Sequence, residues 1–405
     1  MFTMKKLFCI TLRFLMFLLI IIMGVLVMFY LLAPVYKFSG PIPFSGDKLY
    51  NPYKNIDSTN WKKYNFQVQS KAWLGLTNGR KNSNQRIDSI YKILGFDHVA
   101  TSDYQKINEH GKDKQSYIPT YEHGFNIFKT HQVCIGSEKV LWIDLMFGQT
   151  LSMKQWILDE LSTSNRFVVI AHPTLRDGYS IEDMKYLTNY DAIEVLNNMR
   201  VSINHWDEAL SSGQLAYIIG NDDAHDVLNS NDVGRRFTMI NAFSTESELI
   251  LTQLGKGAYY GMDFIRIDDE PMNDKVKRSK DIPKLNSAKL YGDTLFISVN
   301  KIAKQIRFIS DNGEVVKTAD STSFSSCKMD DRNTYLRTEV EFYDDSKIML
   351  NPIVRYSGDH PETKKTAVID SKATLMLRII YIIIGLTIVY GIFRIRKSRK
   401  LKRNR

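Results

Sequence analysis

Two stretches of the chain, one at each end, are apolar almost without interruption. From Leu7 to Ala33 the only charge is Arg13; from Leu375 to Phe393 it is Arg378, near enough to one edge to reach lipid headgroups. A hydrocarbon layer needs roughly 20 apolar residues to cross, so both runs predict transmembrane helices. A cleaved leader is the competing reading of the first run, but the run is longer than such segments and no small-x-small site precedes Pro34. Lys5 and Lys6 precede the first run, and Arg394, Arg396, Lys397, Arg399, Lys400, Lys402, Arg403 and Arg405 follow the second. Basic flanks stay in the cytoplasm, which predicts two cytoplasmic termini and a central region on the other side of the membrane.

Between the anchors the pattern changes. Residues 34–63, rich in Pro, Gly, Asn and Tyr without periodicity, read as a stalk or docking strap. From Tyr64 short β-branched runs alternate with amphipathic stretches such as Asn84 to Leu94 and Met153 to Leu161, an α/β pattern over 64–267. A charged linker, 268–281, follows, then alternating strands with turn signals such as Asp311-Asn312-Gly313. These predict a small β-sandwich-like domain over 282–358. A polar linker, 359–373, leads into the second span, 374–394, and a basic tail, 395–405.

Composition narrows the function. The net charge of +10 invites a nucleic-acid reading, but residues 1–33 carry three positive charges and 374–405 carry nine, with no acids in either. The middle is left at −2, so no nucleic-acid partner is expected; the partners expected are the bilayer and a phosphorylated small molecule or envelope component. The three cysteines supply neither a disulfide framework nor a zinc module.

The predicted strands end on side chains suited to metals or hydrogen bonds: YNFQVQS, FDHVATSDY, YIPTYEH, HQVCIG, FVVIAHP, AIEVLNN and AYIIGNDDAH. In a parallel barrel such ends converge. A strand-end histidine alone is usually structural. Glu122, His131 and His172 with Asp223, Asp222 and His225 together form the mixture of carboxylate and imidazole that zinc, manganese or iron requires.

The stretch from about Tyr64 to Tyr260 resembles the PHP (polymerase and histidinol phosphatase) metal-dependent phosphoesterases, and the whole chain resembles their membrane-anchored bacterial type. The family's N-L-H-x-H motif is matched by Asn65-Phe66-Gln67-Val68-Gln69, with glutamines at both histidine positions, and Thr77-Asn78-Gly79 stands at the following S/T-D-G. Asp103 matches the Asp of an Asp-His motif whose histidine is Tyr104. Glu122 matches the bridging glutamate, His131 and His172 later ligands, and Asp223 and His225 the Asp-x-His motif. The resemblance implies a distorted (βα)7 barrel and a divalent-metal site held by Glu122, His131, His172 and Asp223. Gln67 and Gln69 would be weak ligands, so fewer ions are expected than the family's two or three. Asp103 or His225 would manage protons. Asn197 would lie at the mouth, and Arg200, Arg235 and Arg236 are candidates to grip an anionic substrate. Tyr335-Leu336-Arg337 and Leu350-Asn351-Pro352 resemble elements packing against the barrel in the anchored relatives. The expected function is hydrolysis of a phosphate ester outside the cytoplasm; the alternative is an inactive module that captures a phosphate or envelope ligand.

Overall fold

The computed structural model describes residues 4–403 except Asn78; Arg405 lies outside them. The two apolar runs are helices Met4–Leu32 and Ser371–Arg403, each long and apolar enough to cross a membrane. The second continues without a break into the expected basic tail as far as Arg403. The helices leave the globular part side by side: Asp370 N donates to Val35 O at 2.8 Å and Val35 N to Thr374 Oγ1 at 3.0 Å.

The expected stalk is bound to the globular part. Its strand Tyr36–Phe38 pairs with Ala367–Ile369, and Lys48–Tyr50 pairs with Ile353–Tyr356. Phe44 is buried in the core, and the Tyr53 hydroxyl donates to Tyr259 O at 2.7 Å.

Seven strands surround a shared core. Trp61–Val68 pairs in parallel with His98–Thr101, while Thr120–His123, Gln132–Ser137, Asn165–Ile170, Ala192–Asn197 and Tyr217–Asn221 form a second sheet in that order. Single bridges, Tyr104 to Glu122 and Val68 to Ala224, connect the two sheets. Tyr64 and Phe66 of the first sheet pack with Val133, Phe167, Val169 and Ile219 of the second. The ladder around this core is not continuous, so these strands form two bridged sheets rather than the closed (βα)7 barrel expected. The Glu122 and Gln132 strands are antiparallel because only residues 124–131 join them, too few for the crossover that parallel strands require. Both predicted helices are present. Asn84–Ile93 is capped by Ser83, which accepts from Arg86 N, and buries Ile87 and Tyr91 one turn apart; Leu151–Ser162 is capped by Thr150.

The predicted C-terminal strands are also present, and the Asp311-Asn312-Gly313 turn joins strands Thr294–Ser310 and Glu314–Lys328 with positive φ at Asn312 and Gly313 (58° and 73°). They do not form a separate sandwich. Lys347–Leu350 pairs with Tyr259–Asp263, covering what would be an open edge, so one sheet runs from the C-terminal strands through Arg236–Asn241 to Trp61–Val68. The charged linker contributes helix Met272–Arg278, pinned by the Arg278–Glu270 pair at 2.7 Å.

Candidate metal centre

The strand ends place Glu122, His131 and His172 together. All three are buried, and one ligand atom from each lies within 4.8 Å of the other two. Glu122 Oε1 is 2.6 Å from His131 Nδ1 and 3.5 Å from His172 Nε2; the imidazole planes cross at 69° with centroids 5.3 Å apart. Local backbone geometry creates the cluster. The Glu122–His123 strand alternates sides, so Glu122 faces the centre while His123 is bound to Gln132 Oε1 and Ile143 O. His172 has a positive φ of 29° immediately before Pro173, and Asp223 has one of 50°. Left-handed backbone at non-glycine residues costs about 1–3 kcal/mol and persists where its surroundings impose it, commonly at functional sites.

Burial alone would raise the Glu122 carboxyl pKa, but hydrogen bonds and charge from both histidines hold it far below the usual range. Burial lowers that of His131 despite its bond to Glu122. His172 goes the other way: burial is outweighed by Glu122, Asp223 and Glu194, which lift it to about 9. His172 is thus the imidazole that favours its protonated form beside the carboxylate, and loading a cation there requires that proton to leave.

Further polar groups around the cluster are buried without partners. Both amide atoms of Gln67, Gln69 Oε1, His131 Nε2, His172 Nδ1 and Asp223 Oδ1 make no hydrogen bond in the structure. Each such group costs about 1–3 kcal/mol when buried and unsatisfied. Their concentration here, with a donor set of one carboxylate and two imidazoles, fits a small divalent cation.

The remaining candidates separate into those near the centre and those committed elsewhere. Asp223 adjoins it but lies outside the three-ligand group, its Oδ2 accepting from Asn197 Nδ2 at 3.2 Å. His225 is partly exposed, with Nε2 4.0 Å from Asp223 Oδ1. Gln67 is buried without a side-chain partner, whereas Gln69 Nε2 donates to Glu122 Oε2 at 2.7 Å and Ser102 O at 2.8 Å. Turning that amide would put oxygen against two acceptors, so Gln69 Nε2 is a hydrogen-bond donor that steadies Glu122 while its Oε1 is left without a partner.

Asp103 is not free for proton transfer, since its carboxylate accepts from Ser70 N, Ser70 Oγ and Asn108 Nδ2, each at 2.8 Å. Tyr104, at the expected histidine position, sets its ring 5.5 Å from that of His131. The arginines do not grip the centre. Arg236 is buried on Asp263 at 3.0 and 3.1 Å and also bonded to Asn197 O. Arg235 donates to Asn198 O at 3.2 Å, and Arg200 is exposed, donating to Met199 O at 2.9 Å.

Glu194 escaped the sequence reading. Fully buried, it accepts from His172 N at 2.9 Å, Asn197 Nδ2 at 3.0 Å and Asn221 Nδ2 at 2.9 Å, so it fixes the strained backbone of His172. Burial, opposed by His172 and reinforced by Asp223, moves its carboxyl up to about 8. The one available signal was an acid in the middle of the apolar run AIEVLN. A broad cleft of about 1000 Å³, lined in part by Asn51, Arg166, Asp191 and Lys365, includes no residue of the cluster.

No family model matches the sequence, and no curated protein matches it. Among solved structures, the chain is similar to a two-domain protein containing a predicted PHP-like metal-dependent phosphoesterase from Bacteroides vulgatus. The identity is 12%, the TM-score 0.38, and the match covers 80% of this chain and 100% of that one. Similarity at that level decides neither this chain's fold nor its chemistry, which rest on its own residues.

Proposed function

We propose that this chain is a PHP-like, metal-dependent phosphoesterase held in a membrane by its two end helices, with both termini cytoplasmic and the globular part outside. The observation that carries the reading is the buried convergence of Glu122, His131 and His172 beside unpartnered polar groups, braced by Glu194 through a positive-φ His172. These three residues would hold a divalent ion of zinc, manganese or iron type. Such an ion supplies Lewis-acid polarisation of a phosphate oxygen and acidification of water. The chain itself orients the carboxylate through Gln69, keeps the site dry by burial, and offers His225 Nε2, partly exposed beside Asp223, to move a proton. The basic flanks of the end helices support the orientation, and the nearly neutral middle of the chain, at −2, supports a substrate other than nucleic acid.

A second reading is an inactive module that captures a phosphate or envelope ligand. It is favoured by Gln69, whose Nε2 donates to Glu122, and by the commitment of Asp103 to Ser70 and Asn108.

The test uses the full chain in detergent: metal content after purification, thermal unfolding with added Zn²⁺, Mn²⁺ or Fe²⁺, and hydrolysis of 4-nitrophenyl phosphate. An ion at 100 times its Kd should stabilise the fold by about 2.7 kcal/mol. His172→Ala should abolish both that shift and turnover. Binding without turnover selects the capture module; absence of both binding and turnover removes the metal reading.

A further inference from the structure

The loops around Tyr104, whose ring packs on His131 of the metal centre, expose apolar side chains and are joined to the first end helix. Leu74, Leu76, Phe125, Ile127, Phe128 and Trp142 are all exposed, Leu74 completely and Leu76 to 88%. They belong to three loops tied to one another and to the centre. Trp73 Nε1 donates to Tyr104 O at 2.8 Å, and the Trp73 ring lies 6.3 Å from that of Trp142. Ile127 N donates to Met146 O at 3.0 Å. Phe125 stands 6.3 Å from Tyr104, which in turn packs on His131. The same loops reach the membrane anchor. Phe147 N donates to the Tyr30 hydroxyl at 2.6 Å, with the two rings 6.4 Å apart, and Phe29 and Tyr30 pack against the globular core. The last turn of the Met4–Leu32 helix is therefore docked on these loops, not separated from them by a flexible tether.

Building on the phosphoesterase reading, we infer that this rim rests on the outer surface of the bilayer its own anchors cross, and that the centre takes the phosphate headgroup of a membrane-resident lipid. A water-borne phosphate ester gains nothing from an apolar rim, and a fully exposed leucine is unfavourable in water. Aromatic and leucine side chains on loops bonded to a tyrosine at a helix end are suited to the membrane–water interface. Cations placed to meet lipid phosphates share the rim: Lys129 Nζ is 5.7 Å from the Tyr104 ring, and exposed Arg176 donates to Ile127 O at 3.0 Å. Trp73 and Leu74 both have positive φ, 51° and 57°, so the apolar tip is held outward by backbone geometry that solvent alone does not favour.

The full chain, reconstituted in nanodiscs containing phosphatidic acid, tests this in two ways. An environment-sensitive fluorophore on Leu74→Cys should be quenched by nitroxide-labelled lipid, while one on Lys256→Cys, beside the distant cleft, should not. The variant Leu74→Asp/Leu76→Asp should lower phosphatidic acid hydrolysis about tenfold or more while leaving 4-nitrophenyl phosphate hydrolysis within about twofold. Absence of quenching at position 74 overturns the inference. So does a wild type that hydrolyses the aryl phosphate but not the lipid, or a variant in which both rates fall together; these results leave the phosphoesterase reading standing. If neither phosphate is hydrolysed, the phosphoesterase reading fails. Quenching together with stabilisation by phosphatidic acid that the Asp variant loses then supports the rim as a lipid-phosphate site.

Discussion

Arg337 is the most informative place to perturb the joint between the C-terminal strands and the rest of the fold. Its side chain is 2% exposed and forms a two-pronged pair with Asp207 of helix Ile203–Ser211, Nε to Oδ1 at 2.7 Å and Nη2 to Oδ2 at 2.8 Å. The guanidinium lies 4.9 Å from the Trp206 ring. Arg337→Met keeps the apolar stem but leaves Asp207, itself buried, without its cation. Removing one partner of a buried pair costs roughly 3–5 kcal/mol, whereas replacing both with apolar residues costs much less. The globular part has about 340 residues, and at about 2.1 cal/mol/K of unfolding entropy per residue that loss lowers Tm by about 4–7 °C. Asp207→Leu should cost a similar amount, and the double variant should recover most of the loss. Thermal unfolding of the full chain in detergent, followed by tryptophan fluorescence, measures all three. Strictly additive single costs, or an Arg337→Met shift below about 1 °C, would refute the assignment of this pair as the joint.

Two further predictions concern the centre and a buried cation. Gly124 has φ 119°, and a Cβ there would lie 2.6 Å from His131 Cδ2. Gly124→Ala should therefore displace that imidazole and weaken Zn²⁺ binding by about tenfold or more by calorimetry. Gly95→Ala, at φ 77° with nothing within 4 Å of its Cβ, controls for backbone strain and should leave affinity unchanged. Lys63 is buried with Nζ 4.1 Å from the Phe96 and Phe237 ring centroids and donates to Leu94 O at 3.1 Å; burial, opposed by Asp222, brings its pKa down to about 7. Its folded value lies below the unfolded value of 10.5, so the unfolded chain binds the extra proton between these limits and stability rises with pH from about 7 to 10.5. Lys63→Met should remove part of that rise in denaturation midpoints; an unchanged slope would contradict the account.

What was legible in the sequence was whatever repeats locally. Two long apolar runs, each with a single arginine, specified the end helices, period-2 and period-3.6 patterns specified strands and helices, and Asn312-Gly313 specified its turn, because each depends on a few neighbouring residues. Glu122, His131 and His172 were also readable, since strand ends gather chemistry and the structure does bring these three together.

Which other side chains join them was decided by tertiary packing. Asp103, Arg235 and Arg236 are as suitable in type as the residues of the centre, yet partners far along the chain claim them: Ser70, Asn198 and Asp263. Gln69 became a donor to Glu122 because Ser102 O stands beside it, and Glu194 reached His172 only because two strands lie side by side. The expected independent β-domain merged with the rest because Tyr259–Asp263 offers an edge that backbone groups must cover. The apolar end helices themselves were written in the sequence. That the first packs its Tyr30 on the Phe147 loop was not, because Tyr30 and Phe147 meet only after the intervening chain has packed around its core.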